Sequence, residues 1–475
     1  MNQKVSPTGI STQVYDKSVI RIVLMIVMGT SFLTPFTANA INLGIPAIGQ
    51  EFSANPVLLN WVVTSNLLAS AAFLLPFGRL ADITGRKRIF IIGMIFLSIS
   101  SLLCSLALSV EYLIFFRILQ GIASSMVFGT AMAMLTSVVP PQERGKAMGL
   151  SAACTYSGLS LGPILGGLIV ASWSWRILFV FNFVASAVII ITSLLKLKGE
   201  WAGARGENFD LIGSVLCSTS IVAILFGLSS ITTSLYSKVI FVLGMILFIF
   251  FVHYERKQKF PLIPIDIFTK NIVFGFSNLA ALINYSATFG LMYLLSLYLQ
   301  TVLGYNPQTA GFIMLSQPVL MAILSPFAGK LSDRIQPRIV SSLGMGISGV
   351  GLFFFIFLGR QTPVGLIILN LALIGVGFAL FASPNTNSVM SSVEKKLYGV
   401  ASSSLGTMRL VGQAMSMAIV TMTSSLYVGG LKIGSVEYAD HFLKSLEVSF
   451  IIFAILSVFA VFASLARGRA KIGQH

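Results

Sequence analysis

The most densely charged stretch in the first half of the chain is GRLADITGRKR, residues 78–88. One carboxylate, Asp82, lies there among four cations, with Arg86 and Lys87 directly after a glycine. Gly78 and Gly85 bracket the stretch and permit a tight reversal of the backbone. These residue types can pair charges, and the stretch that carries them is too short to fold alone.

A weaker version of this turn follows at residues 329–338, GKLSDRIQPR, in which Asp333 takes the place of Asp82 and Arg334 follows it directly. Both turns lie between long apolar segments. One turn that recurs at the same place in two halves predicts an internally repeated membrane protein. Ordinary basic loops remain the alternative reading.

Residues that could carry catalysis or bind a metal are scarce. The chain has three cysteines and three histidines, and they show no metal-ligand spacing and no Ser/His/Asp or Cys/His arrangement. The sequence therefore predicts no catalytic site, no metal site and no enzyme. The cysteines and histidines are Cys104, Cys154, Cys217, His253, His441 and His475.

Composition sets the class of protein. With 56% hydrophobic residues, 10% charged residues and a mean hydropathy of +0.90, the chain is predicted to be an all-α polytopic membrane protein. The net charge of +16 does not indicate a nucleic-acid partner, because the cations are spread over short loops. The lipid bilayer is the expected surrounding.

Apolar segments of about 20 residues are long enough to cross a hydrocarbon core of about 30 Å. The sequence predicts fourteen such helices, at 19–41, 57–78, 88–108, 112–137, 146–170, 175–196, 210–231, 238–254, 272–300, 310–328, 338–358, 364–391, 400–424 and 446–466.

The distribution of lysine and arginine predicts the orientation. With the tails at 1–18 and 467–475 in the cytoplasm, most of the 31 cations fall in inner segments. This arrangement satisfies the positive-inside rule. The few outer cations are Arg176, Lys238, Arg360, Lys432 and Lys444.

Two arginines lie away from the ends of predicted helices, Arg117 in the fourth and Arg409 in the thirteenth. A charge at membrane depth is costly and marks a functional candidate, although Arg117 could also snorkel to the outer interface. The fifth helix carries a glycine stripe with a proline, which predicts a flexing seam against another helix; a static packing seam is the alternative. Its residues are Gly158, Gly162, Pro163 and Gly166.

The charged turn, the arginine helix and the glycine-proline helix, in this order, resemble the conserved motifs of the major facilitator superfamily of secondary transporters. Fourteen helices and Trp175-Arg176 at the start of helix six resemble its fourteen-helix drug:proton antiporter branch. The resemblance implies a six-helix bundle at 19–196, two inserted helices with linkers at 197–271 and a second six-helix bundle at 272–466.

The function that this resemblance implies is export of amphiphilic small molecules across the cell membrane, in exchange for protons, by a monomer without a cofactor. The resemblance also implies that the two charged turns are gating elements, in which Asp82 and the neighbouring arginines latch the bundles on the cytoplasmic side. The resemblance leaves open uptake, uniport or exchange of a neutral or anionic metabolite. A non-transporting receptor or scaffold is the alternative from another class.

One departure from the branch concerns proton coupling. The aspartate that the branch usually has in helix one is Thr37 here, which cannot titrate. All fifteen acids lie in loops or near helix ends, and the coupling candidates among them are Asp82, Glu51 and Glu447. Because Arg117 and Arg409 make the interior positive, we expect a preference for neutral or anionic cargo. The expected cavity lining is polar and uncharged: Thr34, Thr37, Asn39, Asn66, Gln120, Tyr156, Asn284, Tyr285, Gln300, Gln317, Asn385 and Gln413.

Overall fold

The computed structural model describes residues 17–140, 144–197, 199–231, 234–393, 398–431 and 437–468; at 144–146, 148–149, 152, 333 and 398–399 it describes the backbone alone. Most of the two predicted tails and the side chain of Asp333 therefore lie outside the described residues.

Fourteen long helices make up most of the described chain, and a short helix, Ile265–Lys270, precedes the ninth. They are α1 Lys17–Glu51, α2 Pro56–Thr84, α3 Arg86–Ser105, α4 Val110–Val138, α5 Arg144–Ser172, α6 Arg176–Lys196, α7 Leu211–Ser229, α8 Leu235–Glu255, α9 Ile272–Thr288 continued by Gly290–Leu297 and a π-helical turn Tyr298–Val302, α10 Pro307–Met314 continued by Ser316–Arg334, α11 Pro337–Phe354, α12 Val364–Ser391, α13 Tyr398–Tyr427 and α14 Tyr438–Ala466.

Among the described residues, thirteen helices are long and apolar enough to cross a membrane. The one outside this set is α13, which has 30 residues but carries Arg409, Gln413 and many hydroxyl side chains. It packs against α2, α7, α9 and α14, so protein rather than lipid surrounds much of it. This position explains how a predicted span can be polar.

Matching caps begin the second helix of each half. The Asn55 side chain accepts a hydrogen bond from the Leu58 N–H at 2.9 Å, and the Asn306 side chain accepts one from Thr309 at 2.7 Å. A proline follows each asparagine, where its missing N–H leaves no helix hydrogen bond unmade. The two halves therefore start this helix in the same way.

The helices pair identically in the two halves. In the first half α1 packs on α5, α2 on α4, and α3 on α6; in the second half α9 packs on α13, α10 on α12, and α11 on α14. The halves meet through α2 with α13 and through α5 with α10, which are equivalent crossings. The structure is thus an internally repeated pair of six-helix bundles.

The inserted helices α7 and α8 pack on each other, and α7 also contacts α2 and α13. We call the end of the bundles with the turns at 78–88 and 329–338 the hinge end, and the opposite end the distal end. Gly85 has a φ of +122°, which favours glycine, and joins α2 to α3 at the hinge end.

Candidate functional site

Hydrogen bonds between the bundles lie toward the distal end. The Tyr293 hydroxyl of α9 donates to Oδ1 of Asn60 on α2 at 2.5 Å, and both side chains are buried. Three side-chain hydrogen bonds join the bundles within the described ranges: Tyr293 to Asn60, Ser296 to the Asn42 carbonyl, and Thr64 with Thr421. The distal end of the interface is therefore closed.

Close backbone contacts add to this closure. Gly167 of α5 lies against the Pro307 carbonyl of α10, and Gly311 of α10 lies against the Pro163 carbonyl of α5, both too close for a side chain. Pro163, predicted as part of a flexing seam, thus lies at the contact between the two bundles.

The three predicted stripe glycines face α1 of their own bundle. A Cβ at Gly162 would lie 2.9 Å from the Asn39 Cβ, and one at Gly166 would lie 2.6 Å from the Ala40 Cα. Gly158 lies directly against the Phe32 carbonyl. The stripe permits close packing of α1 on α5, while the adjacent face of α5 carries the contact with α10.

The first hinge turn is held within its own bundle. The Arg86 Nε donates to Oδ1 of Asp82 at 2.7 Å, and its guanidinium also donates to the Ser137 hydroxyl at 2.6 Å at the end of α4. Gly78 of the same turn faces Gly129 of α4, where a Cβ would lie 3.5 Å from the Gly78 Cα. We call this state, in which the distal end of the interface is closed, the closed-distal state. In it Asp82 pairs with Arg86 of its own turn and does not reach the second bundle.

The linker after α6 covers this turn. The Arg86 N–H donates to the Trp201 carbonyl at 2.8 Å, and the Ala204 N–H donates to the Asp82 carbonyl at 2.9 Å. The Lys87 N–H donates to Glu200 at 2.8 Å. Trp201 is buried in the core of the first bundle. The linker thus binds the turn through its backbone as well as its side chains.

The second turn has fewer described contacts. Arg334 is exposed, and Asp333 is one of the positions described by backbone alone. Arg467, directly after α14, is buried: its guanidinium donates to Oδ1 of Asn385 at 2.9 Å and to the Pro337 carbonyl at 3.0 Å. This arginine was not singled out from the sequence, where it is the first of three cations, Arg467, Arg469 and Lys471, after the last apolar helix; its place directly at the end of that helix was a usable signal.

Arg117 is buried among neutral partners within the first bundle. Its Nε donates to the Val62 carbonyl at 2.9 Å, and its guanidinium donates to the Gln120 side chain. Gln120 in turn donates to Ser101 at 2.7 Å. The Asn66 amide donates to the Arg117 carbonyl at 3.3 Å. The predicted cavity residue Gln120 thus belongs to a network inside the bundle, because it is the nearest acceptor for a buried guanidinium.

Asn385 also differs from its predicted place in the cavity. It is buried and hydrogen-bonded to Arg467 and to the Ser277 carbonyl inside the second bundle. The Asn39 amide donates to the Leu159 carbonyl, between α1 and α5. Helix rotation decides which neighbour such an amide meets, and composition does not specify that rotation.

Arg409 lies over an aromatic cluster in the middle of α13. Its guanidinium carbon is 5.1 Å from the centre of the Tyr285 ring, and the Phe378 and Phe381 rings lie 5.5 and 6.2 Å from that ring. Gly412 fixes this geometry, since a Cβ there would lie 3.0 Å from the Tyr285 Cβ. Arg409 is half-buried, and its Nε has no hydrogen-bond partner. This arrangement can bind an anionic or aromatic group.

The other predicted cavity residues differ in exposure. Thr34 is exposed, and Asn66, Tyr156, Gln300 and Gln413 are half-buried. Thr37, Asn284 and Gln317 are buried; Thr37 bonds the Leu33 carbonyl at 2.8 Å, whereas both amide atoms of Asn284 and Oε1 of Gln317 lack partners. Asn284 and Gln317 thus keep hydrogen-bonding capacity free.

Two of the predicted coupling acids lie at the distal end in local ion pairs. Glu51 accepts from Arg176 at 2.6 Å and from the Trp175 indole at 2.7 Å, and Glu447 accepts from Lys444 at 2.9 Å. Within the described ranges no three His, Cys, Asp or Glu side chains could hold a metal ion.

A buried acid at the hinge end was overlooked. Glu255 ends α8 and is 2% exposed, with Asp210 beside it at the start of α7. Its position was the available signal, since a carboxylate at a helix C-terminus opposes the helix dipole and needs another reason to be there.

Comparison with known proteins agrees with this architecture. The family model described as Major Facilitator Superfamily matches residues 27–278 and 277–472. The riboflavin transporter RibZ of Clostridioides difficile (strain 630) is 28% identical over 398 residues, which are 84% of this chain and 86% of RibZ. The multidrug resistance protein Stp of Mycobacterium tuberculosis (strain ATCC 25618 / H37Rv) is 29% identical over 394 residues, 82% of this chain and 73% of Stp.

Among solved structures, a bacterial homologue of the human lysosomal transporter Spinster superposes with a TM-score of 0.67 at 16% identity, covering 95% of this chain and 98% of that one. This likeness supports the fold. The chain is a multi-pass membrane transporter, not an enzyme, and belongs to the Major Facilitator Superfamily.

Proposed function

We propose that the chain exports amphiphilic small molecules across the cell membrane by alternating access, in exchange for protons. It works as a monomer in the lipid bilayer with both termini in the cytoplasm, and it uses no cofactor. The positive-inside pattern supports this orientation, in which the hinge end faces the cytoplasm. Relatives that include a multidrug resistance protein and a riboflavin transporter support small-molecule transport.

The observation that carries the proposal is the interface between the bundles. Its hydrogen bonds and closest backbone contacts lie toward the distal end, and Arg409 lies on Tyr285 near the middle of α13. A repeat that is closed at one end is one of the two end states that alternating access requires. Asp82, Arg86, Lys87, Asp333 and Arg334 are the gating residues in this proposal.

Arg409 favours a neutral or anionic cargo. A cationic drug is best held by a buried carboxylate, whereas the charged group at this depth of α13 is the half-buried guanidinium of Arg409. An amphiphile with an acidic or polarised group can accept from Arg409 while its apolar part packs on Phe378 and Phe381.

Proteoliposomes with an imposed pH gradient test the proposal, with an anionic and a cationic dye of similar size as cargo. We expect gradient-driven movement of the anionic dye. Arg409→Ala should reduce it about 10- to 100-fold, since one charge-assisted hydrogen bond is lost. Arg409→Lys should retain part of it. Arg360→Ala, in an exposed ion pair with Asp440 at the distal surface, is the matched control.

Each alternative has its own outcome in this assay. A strict preference for the cationic dye would overturn the assignment of Arg409. Counterflow that ignores the pH gradient would support uniport or exchange, which Thr37 in place of a titratable residue favours. A folded protein that moves neither dye nor any metabolite would indicate a receptor or scaffold.

A further inference from the structure

Two carboxylates meet at the hinge end of the inserted helices. Glu255 ends α8, and Asp210 caps α7 by accepting the Gly213 N–H at 2.8 Å. Glu255 accepts the Ile263 N–H at 3.0 Å through Oε1. One oxygen of each acid is thus in use, and the other oxygen of each, Oδ2 of Asp210 and Oε2 of Glu255, is buried with no partner.

The two unused oxygens face one point. A Cβ at Gly213 would lie 2.9 Å from Oε2 of Glu255 and still closer to Oδ2 of Asp210. Glu255 is only 2% exposed, so its carboxylate has little access to water. Two ionised carboxylates whose oxygens both lie next to Gly213 repel each other, and each would bury an acceptor with no donor.

The groups around the pair do not neutralise it. The positive charge of Arg79 on α2 attracts the Glu255 carboxylate, but Arg79 already forms an ion pair with Glu207 of the linker. Tyr254 of α8, whose hydroxyl lies 3.4 Å from Oδ1 of Asp210, and Cys217 of α7 are neutral neighbours. The cations that follow α8, Arg256, Lys257 and Lys259, are exposed.

We propose that Asp210 and Glu255 form a proton-binding site, which holds one proton between their facing oxygens at neutral pH. The shared proton supplies the missing donor and removes one of two like charges. When the proton leaves, the pair carries both charges beside Arg79 and competes with Glu207 for it. Proton release therefore weakens the contact of the linker with α2 next to the first hinge turn.

This site lies outside the interface between the bundles and requires no assumption about cargo. A direct test is infrared spectroscopy of the purified full-length protein at neutral pH. We expect a protonated carboxylic acid band in the wild type that is lost in Glu255→Gln. Asp266→Asn, which changes an exposed acid paired with Lys270, should keep the band.

The pH dependence of stability gives a second readout. A proton bound more tightly in the folded than in the unfolded state stabilises the fold at low pH, and this stabilisation is lost as pH rises through the titration of the pair. Glu255→Gln keeps the shape of the side chain, and its amide can donate to Asp210 at every pH. Its melting temperature minus that of the wild type should therefore increase by on the order of 1 °C per pH unit above pH 5 until the pair has titrated.

Asp210→Asn serves as the second variant, since asparagine also caps helices and would give the same change if Glu255→Gln folds poorly. A wild-type spectrum without a protonated carboxylic acid band at neutral pH would overturn the proposal. So would parallel melting profiles of the wild type and both variants from pH 5 to 9.

Discussion

The Tyr293 hydroxyl and the Asn60 amide oxygen meet at 2.5 Å across the interface between the two bundles, and both side chains are buried. Among the described residues, the Tyr293 hydroxyl is the one hydrogen-bond partner of the Asn60 side chain, since the Asn60 Nδ2 has none. If the distal end opened, both groups would reach water. The bond therefore stabilises the closed-distal state over the open one.

Tyr293→Phe should shift the protein toward the open-distal state. The lost hydrogen bond leaves a buried acceptor unpaired in the closed state alone, at a cost of about 1–2 kcal/mol, or roughly 5- to 30-fold in the ratio of the two states. Electron-paramagnetic-resonance distances between spin labels on the distal ends of α2 and α9 would measure the shift.

Tyr298→Phe is the matched control for this substitution. The Tyr298 hydroxyl donates to the Gly359 carbonyl at 2.6 Å within the second bundle, so its loss does not favour either state. Equal distance distributions for the Tyr293 and Tyr298 variants would contradict the proposed role of the bond to Asn60.

Gly158→Ala should disrupt the packing of α1 on α5. The new methyl group would clash with the Phe32 carbonyl, a backbone atom that cannot move without shifting α1. We expect a loss of about 1–3 kcal/mol in unfolding free energy and reduced transport. Thermal melting in detergent measures the first and dye flux measures the second.

Gly346→Ala provides the comparison within a helix. A Cβ at Gly346 meets nothing within 4 Å, so alanine should stabilise α11 by about 0.5–1 kcal/mol through its higher helix propensity. If Gly158→Ala were as stable as Gly346→Ala, the α1–α5 contact would not be as close as the structure has it.

The overall architecture could be predicted because membrane folds are specified by coarse patterns. Long apolar segments, the loop cations and the paired turns at 78–88 and 329–338 each depend on residue type and spacing alone. The helical pairing of the two halves follows from that repeat. The polar helix α13 was also predicted, since its length is sufficient even though its hydropathy is low.

The candidate site could be predicted only in part, because partners depend on how each helix is rotated. Arg117 and Arg409 look alike in sequence, as single arginines within apolar segments. Arg117 meets Gln120 and the Val62 carbonyl inside a bundle, whereas Arg409 lies over Tyr285 with a free Nε. Tertiary packing, which no local pattern encodes, separates these two environments.

Arg117→Ala should reduce stability more than transport of the folded fraction. It removes the donors to the Val62 carbonyl and Gln120 and leaves a cavity, which together cost about 3–5 kcal/mol. Fluorescence-detected size exclusion after heating measures the surviving fraction. Lys238→Ala, at an exposed site, should change it little. Normal stability with lost flux would instead place Arg117 in the transport pathway.

Asn385→Leu should destabilise the second bundle through Arg467. Burial, with the nearby Arg338 adding to it, lowers the pKa of the Arg467 guanidinium to about 10, so the side chain remains charged at neutral pH. The pKa of Arg467 is lower in the folded protein than in the unfolded chain, so this group makes the free energy of unfolding rise with pH, and only above about pH 10. We expect a loss of about 2–3 kcal/mol that is constant between pH 6 and 9.

The double variant Asn385→Leu with Arg467→Met tests whether the loss comes from an unpaired charge. Replacing both partners by apolar groups removes the buried charge together with its acceptor, and such replacements are often nearly neutral. The double variant should therefore melt at a higher temperature than Asn385→Leu alone. Additive losses from the two substitutions would show that Arg467 stabilises the hinge end independently of Asn385, through Ser277 and the Pro337 carbonyl, which also accept hydrogen bonds from it.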